Sequence, residues 1–197
     1  MKRFLKTESP DLRHPQRVSV PHARQNILLI GFMGTGKSSV GRILARKLGY
    51  RFVDTDRLVS DLAGMEIPEI FRLHGEPHFR QLEHEVLESL AGLSRQVIST
   101  GGGIVLREDN RTLLQKCGFV AALTASEPVL FDRVSRNSNR PLLRTENPRE
   151  TIREMLAQRR ALYEGAAQLT VDTTHLTTDA VAELIADAAQ SGQPDTP

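Results

Sequence analysis

The 197-residue chain has no tryptophan, two tyrosines and one cysteine. A lone Cys117 excludes an intrachain disulfide and any cysteine-based zinc site, and a buried, inert thiol is its expected state. No apolar run approaches the roughly 20 residues that a membrane-spanning helix needs. The first residues lack the apolar core of a secretory signal, so a soluble cytoplasmic protein is expected. Neither sign of charge dominates: 26 Lys and Arg stand against 24 Asp and Glu, a net charge of +2. That balance gives no reason to expect nucleic acid or an anionic membrane as a partner, so the arginines matter by position rather than by sum. No internal repeat is present. His74, His78 and His84 have no metal-site spacing and read as surface residues. The length suffices for one domain with a real core.

The most informative stretch runs from Ile27 to Ser38. Ile27-Leu28-Leu29-Ile30 reads as a buried strand. Gly31-x4-Gly36-Lys37-Ser38 then matches the P-loop pattern. A helix is expected from Lys37, because Val40, Ile43, Leu44 and Leu48 recur at helical spacing and Gly49 supplies a stop. The chemistry needs this order. Glycines let backbone N–H groups turn inward around phosphate oxygens, and the helix N-terminus adds partial positive charge. Lys37 would reach the outer phosphates, and the Ser38 hydroxyl can ligate Mg²⁺.

Residues 1–25 are polar, interrupted by Pro10, Pro15 and Pro21, and are expected to form a flexible extension. A transit peptide fits Glu8 and Asp11 poorly. Arg51 to Asp56 reads as a second strand ending in two carboxylates, Asp54 and Asp56, beside the P-loop, where open α/β sheets bind ligands. Short helices are expected from Arg57 to Ala63 and from Pro68 to Leu73. Glu76-Pro77 then opens a longer helix with Phe79, Leu82, Val86 and Leu90 inside. Arg80, Glu83 and His84 share a second face of it. Glu83 could hold the Arg80 guanidinium in position, but on spacing alone the two read as a surface ion pair worth little.

Gln96 to Thr100 is a third strand running into Gly101-Gly102-Gly103, where missing side chains let backbone approach a ligand. A helix from about Arg107 to Cys117, a strand from Phe119 to Leu123 and a helix capped by Ser126 follow. Residues 136–149 break all periodicity and carry several arginines, which reads as an arginine-bearing lid. Asn147-Pro148-Arg149-Glu150 resembles a capping box. The next helix has Ile152, Met155, Leu156 and Tyr163 on one stripe. Arg159 falls on that stripe while Arg160 points away. An inward guanidinium needs an anion, and a ligand carboxylate or a structural Asp or Glu would serve equally. A fifth strand at Gln168–Val171, a last helix marked by Val181, Leu184, Ile185 and Ala188, and a disordered polar tail over 190–197 complete the reading.

These pieces together resemble the shikimate kinase family. The matches are Gly31-Phe32-Met33-Gly34-Thr35-Gly36-Lys37-Ser38, Phe52-Val53-Asp54-Thr55-Asp56, Phe71-x3-Gly75-Glu76-x2-Phe79-Arg80-x2-Glu83, Gly101-Gly102-Gly103, Arg140-Pro141-Leu142-Leu143 and Arg159-x3-Tyr163. They keep the family's order over about residues 26–188. The resemblance implies an α/β P-loop kinase fold over 26–189, with a five-stranded parallel sheet in order 2-3-1-4-5 and helices on both faces. It implies MgATP-dependent phosphorylation of the shikimate 3-hydroxyl, a step of aromatic amino-acid biosynthesis, and a monomer is expected. By motif match, Gly34, Thr35, Gly36, Lys37, Ser38 and Ser39 hold ATP phosphates. Ser38 holds one Mg²⁺, with Asp54 organising it through water. Asp56 binds shikimate hydroxyls and is a candidate base. Arg80 and Arg159 bind the shikimate carboxylate, with the Gly102 backbone beside the ring. Arg140 is the lid arginine facing ATP, and Arg133 matches an arginine that stacks on adenine.

Two departures stand out. The segment before Gln25 is longer than the family usually carries. The adenine loop reads Thr174-His175-Leu176-Thr177-Thr178, without the family's proline. Two rival readings remain. A gluconate kinase-like enzyme would share the phosphate site and differ at the acceptor residues. A nucleotide-binding regulatory module would not need an intact Lys37, Ser38, Asp54, Asp56 and Arg140. Strand three also has no four-apolar-plus-Asp Walker B, unlike a motor or a GTPase.

Overall fold

A computed structural model describes residues 26–135 and 147–191. The expected extension, Arg140 with most of the expected lid, and residues 192–197 lie outside the described residues. Strands β1 (Asn26–Gly31), β2 (Arg51–Asp54), β3 (Gln96–Ser99), β4 (Gly118–Thr124) and β5 (Leu169–Asp172) form one parallel sheet. Its order is β2-β3-β1-β4-β5, as the resemblance implied. Helices α1 (Lys37–Leu48), α2 (Thr55–Ala63), α3 (Ile67–Leu90), α4 (Glu108–Cys117), α5 (Glu127–Ser135), α6 (Pro148–Ala166) and α7 (Thr178–Ser191) supply the crossovers and the outer layers.

β1 is the centre of the sheet and is buried throughout. Strand periodicity sends its side chains to two cores. Ile27 and Leu29 pack with Val40, Leu44, Val181 and Ile185 of α1 and α7. Leu28 and Ile30 pack with Phe79, Val86, Leu114 and Ile152 of α3, α4 and α6. Truncating one of these leucines to alanine would cost about 2–5 kcal/mol. Asn26 is fully buried and fixes where β1 starts. Its amide donates to the Leu93 carbonyl at 2.8 Å and the Cys117 carbonyl at 3.3 Å, and its Oδ1 accepts the Gln96 N–H at 3.1 Å. Cys117 is buried as expected, and burial pushes its thiol pKa up.

Three boundaries or faces differ from expectation, and one break agrees with it. The second strand stops at Asp54, because the Asp54 carboxylate accepts the Asp56 N–H at 3.2 Å and caps α2. Asp56 therefore sits in a helix's first turn, not on a strand. The expected break near Gly75 is present: its φ of 79° and ψ of 171° are not helical, so α3 is two helices that meet at a kink there. Only glycine adopts that backbone readily. His84 is not a surface residue. Its side chain is largely buried and its Nδ1 lies 2.6 Å from Asn110 Oδ1. Leu184 points to solvent, and Ala182 and Ala186 take the buried face of α7 instead.

Candidate active site

The P-loop turns out of β1 through Gly36, whose φ of 95° ends the turn and begins α1. Lys37 is buried, and its ammonium donates to the carbonyls of Gly31 at 2.8 Å and Phe32 at 2.9 Å. The cation is thereby held across the turn it is meant to serve. The Thr35 hydroxyl donates to the Phe32 carbonyl at 2.8 Å. The Ser38 hydroxyl donates to Asp54 Oδ2 at 2.9 Å and lies 3.1 Å from Ser99 Oγ. A cavity of about 420 Å³ opens over these groups, lined by the whole run from Gly34 to Ser39 and also by Asp54, Asp56, Ser99 and Gly102.

Ser38, Asp54 and Ser99 offer oxygen donors only, the set that a hard cation such as Mg²⁺ prefers. Among the described residues no group of three or more His, Cys, Asp or Glu could hold a metal. A cation here would complete its shell with phosphate and water oxygens, as Mg²⁺ commonly does.

Arg133 of α5 also lines this cavity. Its guanidinium donates to the Gly34 carbonyl at 3.3 Å, to Thr173 Oγ1 at 3.1 Å and to the Thr173 carbonyl at 3.1 Å. Thr173 is buried, and its hydroxyl also reaches the carbonyls of Thr124 at 2.9 Å and Thr35 at 3.2 Å. One side chain thus ties the end of β5 to the P-loop and to the arginine. Where the expected proline is missing, Leu176, Thr178 and Val181 line the cavity wall.

The glycines after β3 hold the second half of the site. A Cβ on Gly101 would collide with Glu83 Oε1 and come within 2.7 Å of Asp56 Oδ1. A Cβ on Gly103 would collide with the Arg80 guanidinium. Two of the three glycines therefore make room for the protein's own charged side chains, where a ligand had been expected. Arg80 and Glu83 are not a surface pair. Glu83 is 1% exposed, and Arg80 donates from Nη1 to Glu83 Oε2 at 2.5 Å. Arg80 also donates to Glu76 Oε1 from Nε at 3.1 Å and Nη2 at 2.7 Å. Burial pushes the Glu83 carboxyl up to about 7, against the pull of Arg80 and helped by Asp56 and Glu76. Breaking such a buried pair by removing one partner typically costs about 3–5 kcal/mol.

The Asn147 side chain accepts the Glu150 N–H at 3.3 Å to cap α6, as expected, while Glu150 pairs with Arg153 at 3.0 Å rather than closing the box. α6 turns Arg159 inward, buried against the glycines, and leaves Arg160 paired with Glu164 in solvent. Arg159 Nη1 is 3.4 Å from the Gly102 carbonyl, and its Nε is buried without an acceptor. The Tyr163 hydroxyl donates to the same carbonyl at 2.5 Å. Structure thus brings Lys37, Ser38, Asp54, Asp56, Arg80, Gly102, Arg133 and Arg159 to one end of the sheet. Sequence reading gave no role to Ser99, Thr173 or Tyr163. The only available signals were a hydroxyl at a strand end and a tyrosine four residues after an inward arginine.

Comparison with known proteins fits this geometry. A shikimate kinase family model matches residues 33–190. The shikimate kinase of Thermodesulfovibrio yellowstonii is 51% identical over 161 residues, covering 82% of this chain and 92% of the relative. That of Geobacter metallireducens is 46% identical over 168 residues, covering 85% and 93%. The solved shikimate kinase from Acinetobacter baumannii in complex with shikimate superposes with a TM-score of 0.83 at 37% identity, covering 86% of this chain and 94% of that one. A gluconokinase from Sinorhizobium meliloti, at 20% identity and a TM-score of 0.50, shares the fold alone. With the P-loop, the buried arginines and these relatives in agreement, the chain belongs to the shikimate kinase family.

Proposed function

We propose that this chain transfers the γ-phosphate of ATP, with one Mg²⁺, to the 3-hydroxyl of shikimate in the route to aromatic amino acids. One observation carries the reading: Asp56 and Gly102 line the same cavity as the P-loop, so acceptor and phosphate groups share one space. Behind that cavity, Arg80 and Arg159 flank the glycine turn as a cationic end for a carboxylate. Gluconate would also present a carboxylate, but the Gly-Glu-x-x-Phe-Arg and triple-glycine elements are among the pieces that carry the resemblance to the shikimate kinase family.

Phosphoryl transfer through a loose transition state needs positioning and charge stabilisation more than covalent chemistry. The backbone of Gly34, Thr35, Gly36 and Lys37, with Ser39 beyond it, receives the phosphates. Lys37 exchanges its two backbone carbonyls for phosphate oxygens. Ser38, Asp54 and Ser99 would hold Mg²⁺, which neutralises phosphate charge when bound. Asp56 accepts the hydroxyl's hydrogen bond and orients its oxygen toward the phosphate. Arg80 and Arg159 grip the carboxylate, and Arg133 braces the base side of the cavity. Arg140, outside the described residues, is assigned to the transferring phosphate. The catalytic unit is assigned to residues 26–189, as a cytoplasmic monomer. Among the described residues no helix is long and apolar enough to cross a membrane. A coupled ADP-release assay with and without shikimate tests the reading. ADP release that ignores shikimate, or that responds to gluconate instead, would overturn it.

A further inference from the structure

Among the described residues, two side chains donate to the Gly102 carbonyl, and they are unequal. The Tyr163 contact is 2.5 Å and the Arg159 contact 3.4 Å. A half-buried carbonyl is satisfied by one good donor, so the tyrosine makes the arginine dispensable there. Arg159 is meanwhile buried with an Nε that lacks an acceptor. A buried guanidinium short of acceptors is a site waiting for an anion. Burial holds the Tyr163 hydroxyl pKa up at about 12, although the charge of Arg159 and a hydrogen bond from it pull the other way, so the hydroxyl remains a donor to Gly102 at neutral pH.

Gly102 is also pressed against the phosphate half. A Cβ there would meet the Met33 nitrogen at 3.3 Å and the Gly31 carbonyl oxygen at 3.5 Å. Its peptide is therefore the wall between the P-loop and the arginine that faces the acceptor.

We propose that Tyr163 is a positioning residue for the acceptor: its hydroxyl holds the Gly102 carbonyl, and this keeps Arg159 available to a substrate carboxylate. The inference rests on the reading that the acceptor is shikimate. Without the hydroxyl, Gly102 has Arg159 as its remaining donor. The guanidinium then closes on the carbonyl, and an incoming carboxylate must displace it.

The test compares wild type and Tyr163→Phe with two acceptors, shikimate and its neutral methyl ester. For the variant, kcat/KM for shikimate should fall about 5–10-fold, carried by KM, with the ATP KM within about twofold. For the ester, which offers Arg159 no carboxylate, wild type and variant should match. An equal loss with acid and ester would make the hydroxyl a brace of the fold and overturn the proposal, as would no loss with either. Wild-type turnover of shikimate in the same assay checks the functional reading separately. Fluorine NMR on protein carrying 3-fluorotyrosine gives a readout without mutating the site, because the chain has two tyrosines, Tyr50 and Tyr163. The Tyr163 resonance should shift with shikimate and stay still with the ester. A resonance that ignores shikimate would also overturn the proposal.

Discussion

The phosphate half of the site comes from one contiguous turn between β1 and α1, in which backbone groups and Lys37 face the same cavity. The acceptor half draws Asp56 from α2, Arg80 and Glu83 from α3, the glycines from the loop after β3, and Arg159 and Tyr163 from α6. The first half is preorganised by local backbone geometry. The second depends on buried charges that must compensate one another across four segments. Local geometry tolerates change elsewhere in the chain. Mutual compensation does not, because each charge sets the cost of its neighbours in a low-dielectric setting. The two halves should therefore fail differently: the phosphate half in kcat, the acceptor half in KM and in pH dependence.

The largest effect is expected in the phosphate half. Lys37→Ala should lower kcat by about 10²–10³-fold or more, the loss typical of a preorganised charge-stabilising donor. It should also unfold more easily by about 1–2 kcal/mol, because the ammonium holds the Gly31 and Phe32 carbonyls. Steady-state kinetics and thermal melts would check both. A folded variant with near wild-type kcat would remove the P-loop from the mechanism.

Arg159→Lys probes the other half. Lysine keeps the charge but loses the planar fork. The shikimate KM should rise roughly 10-fold and the ATP KM should stay nearly constant. Equal rises would mean that Arg159 braces both halves, and the distinction between them would dissolve.

How much of this was legible beforehand follows the same division. The P-loop was readable because its residues are neighbours in sequence, and strand, glycine turn and helix signals agree. The buried state of Arg80 and Glu83 was not, because it is created by missing side chains at Gly101 and Gly103, which are distant in the chain. Helical spacing alone put the pair on a polar face and pointed to solvent. The strand boundary at Asp54 was misplaced because a carboxylate that caps a helix also reads as a carboxylate ending a strand. His84 was misread because Asn110 meets it from α4, a contact no local pattern announces. Arg159 was legible as inward but not as to its partner, since that partner is a ligand or a glycine carbonyl.

A smaller, sharper effect concerns Glu83. Its carboxyl is raised from 4.5 to about 7, chiefly by burial, with Arg80 opposing and Asp56 and Glu76 assisting. Tyr163 and Arg159 face the same cluster from α6. The folded protein thus binds a proton between those values that the unfolded chain releases. Its stabilising contribution is complete below 4.5 and is lost as pH rises to about 7. A substrate carboxylate near Arg80 would favour protonated Glu83 further, so binding takes up protons. Shikimate affinity should weaken about threefold between pH 6 and 8 if the ligand shifts the group by roughly half a unit. Glu83→Gln should flatten that profile while the ATP profile stays unchanged. Titration calorimetry in two buffers of different ionisation enthalpy would read the proton directly, and a profile unaffected by Glu83→Gln would place the titration elsewhere.

The smallest effect is expected from deleting residues 1–24, and its smallness is the test. If both halves of the site are complete within 26–191, with Arg140 between α5 and α6, nothing in the first 24 residues should enter kcat or either KM. The segment's sequence has no apolar period with which to join a core. The start of the sheet does not need it. Asn26 is anchored by Leu93, Gln96 and Cys117, and β1 pairs with β3 from Ile27 and with β4 from Asn26. A chain beginning at Gln25 keeps each of those bonds. Its kcat and both KM values should stay within about twofold of the full chain, and its melting temperature within the few degrees that correspond to about 1 kcal/mol. A truncated protein that loses its shikimate response while keeping its ATP response would assign the extension to the acceptor half. One that fails to fold would move the domain boundary upstream of Asn26.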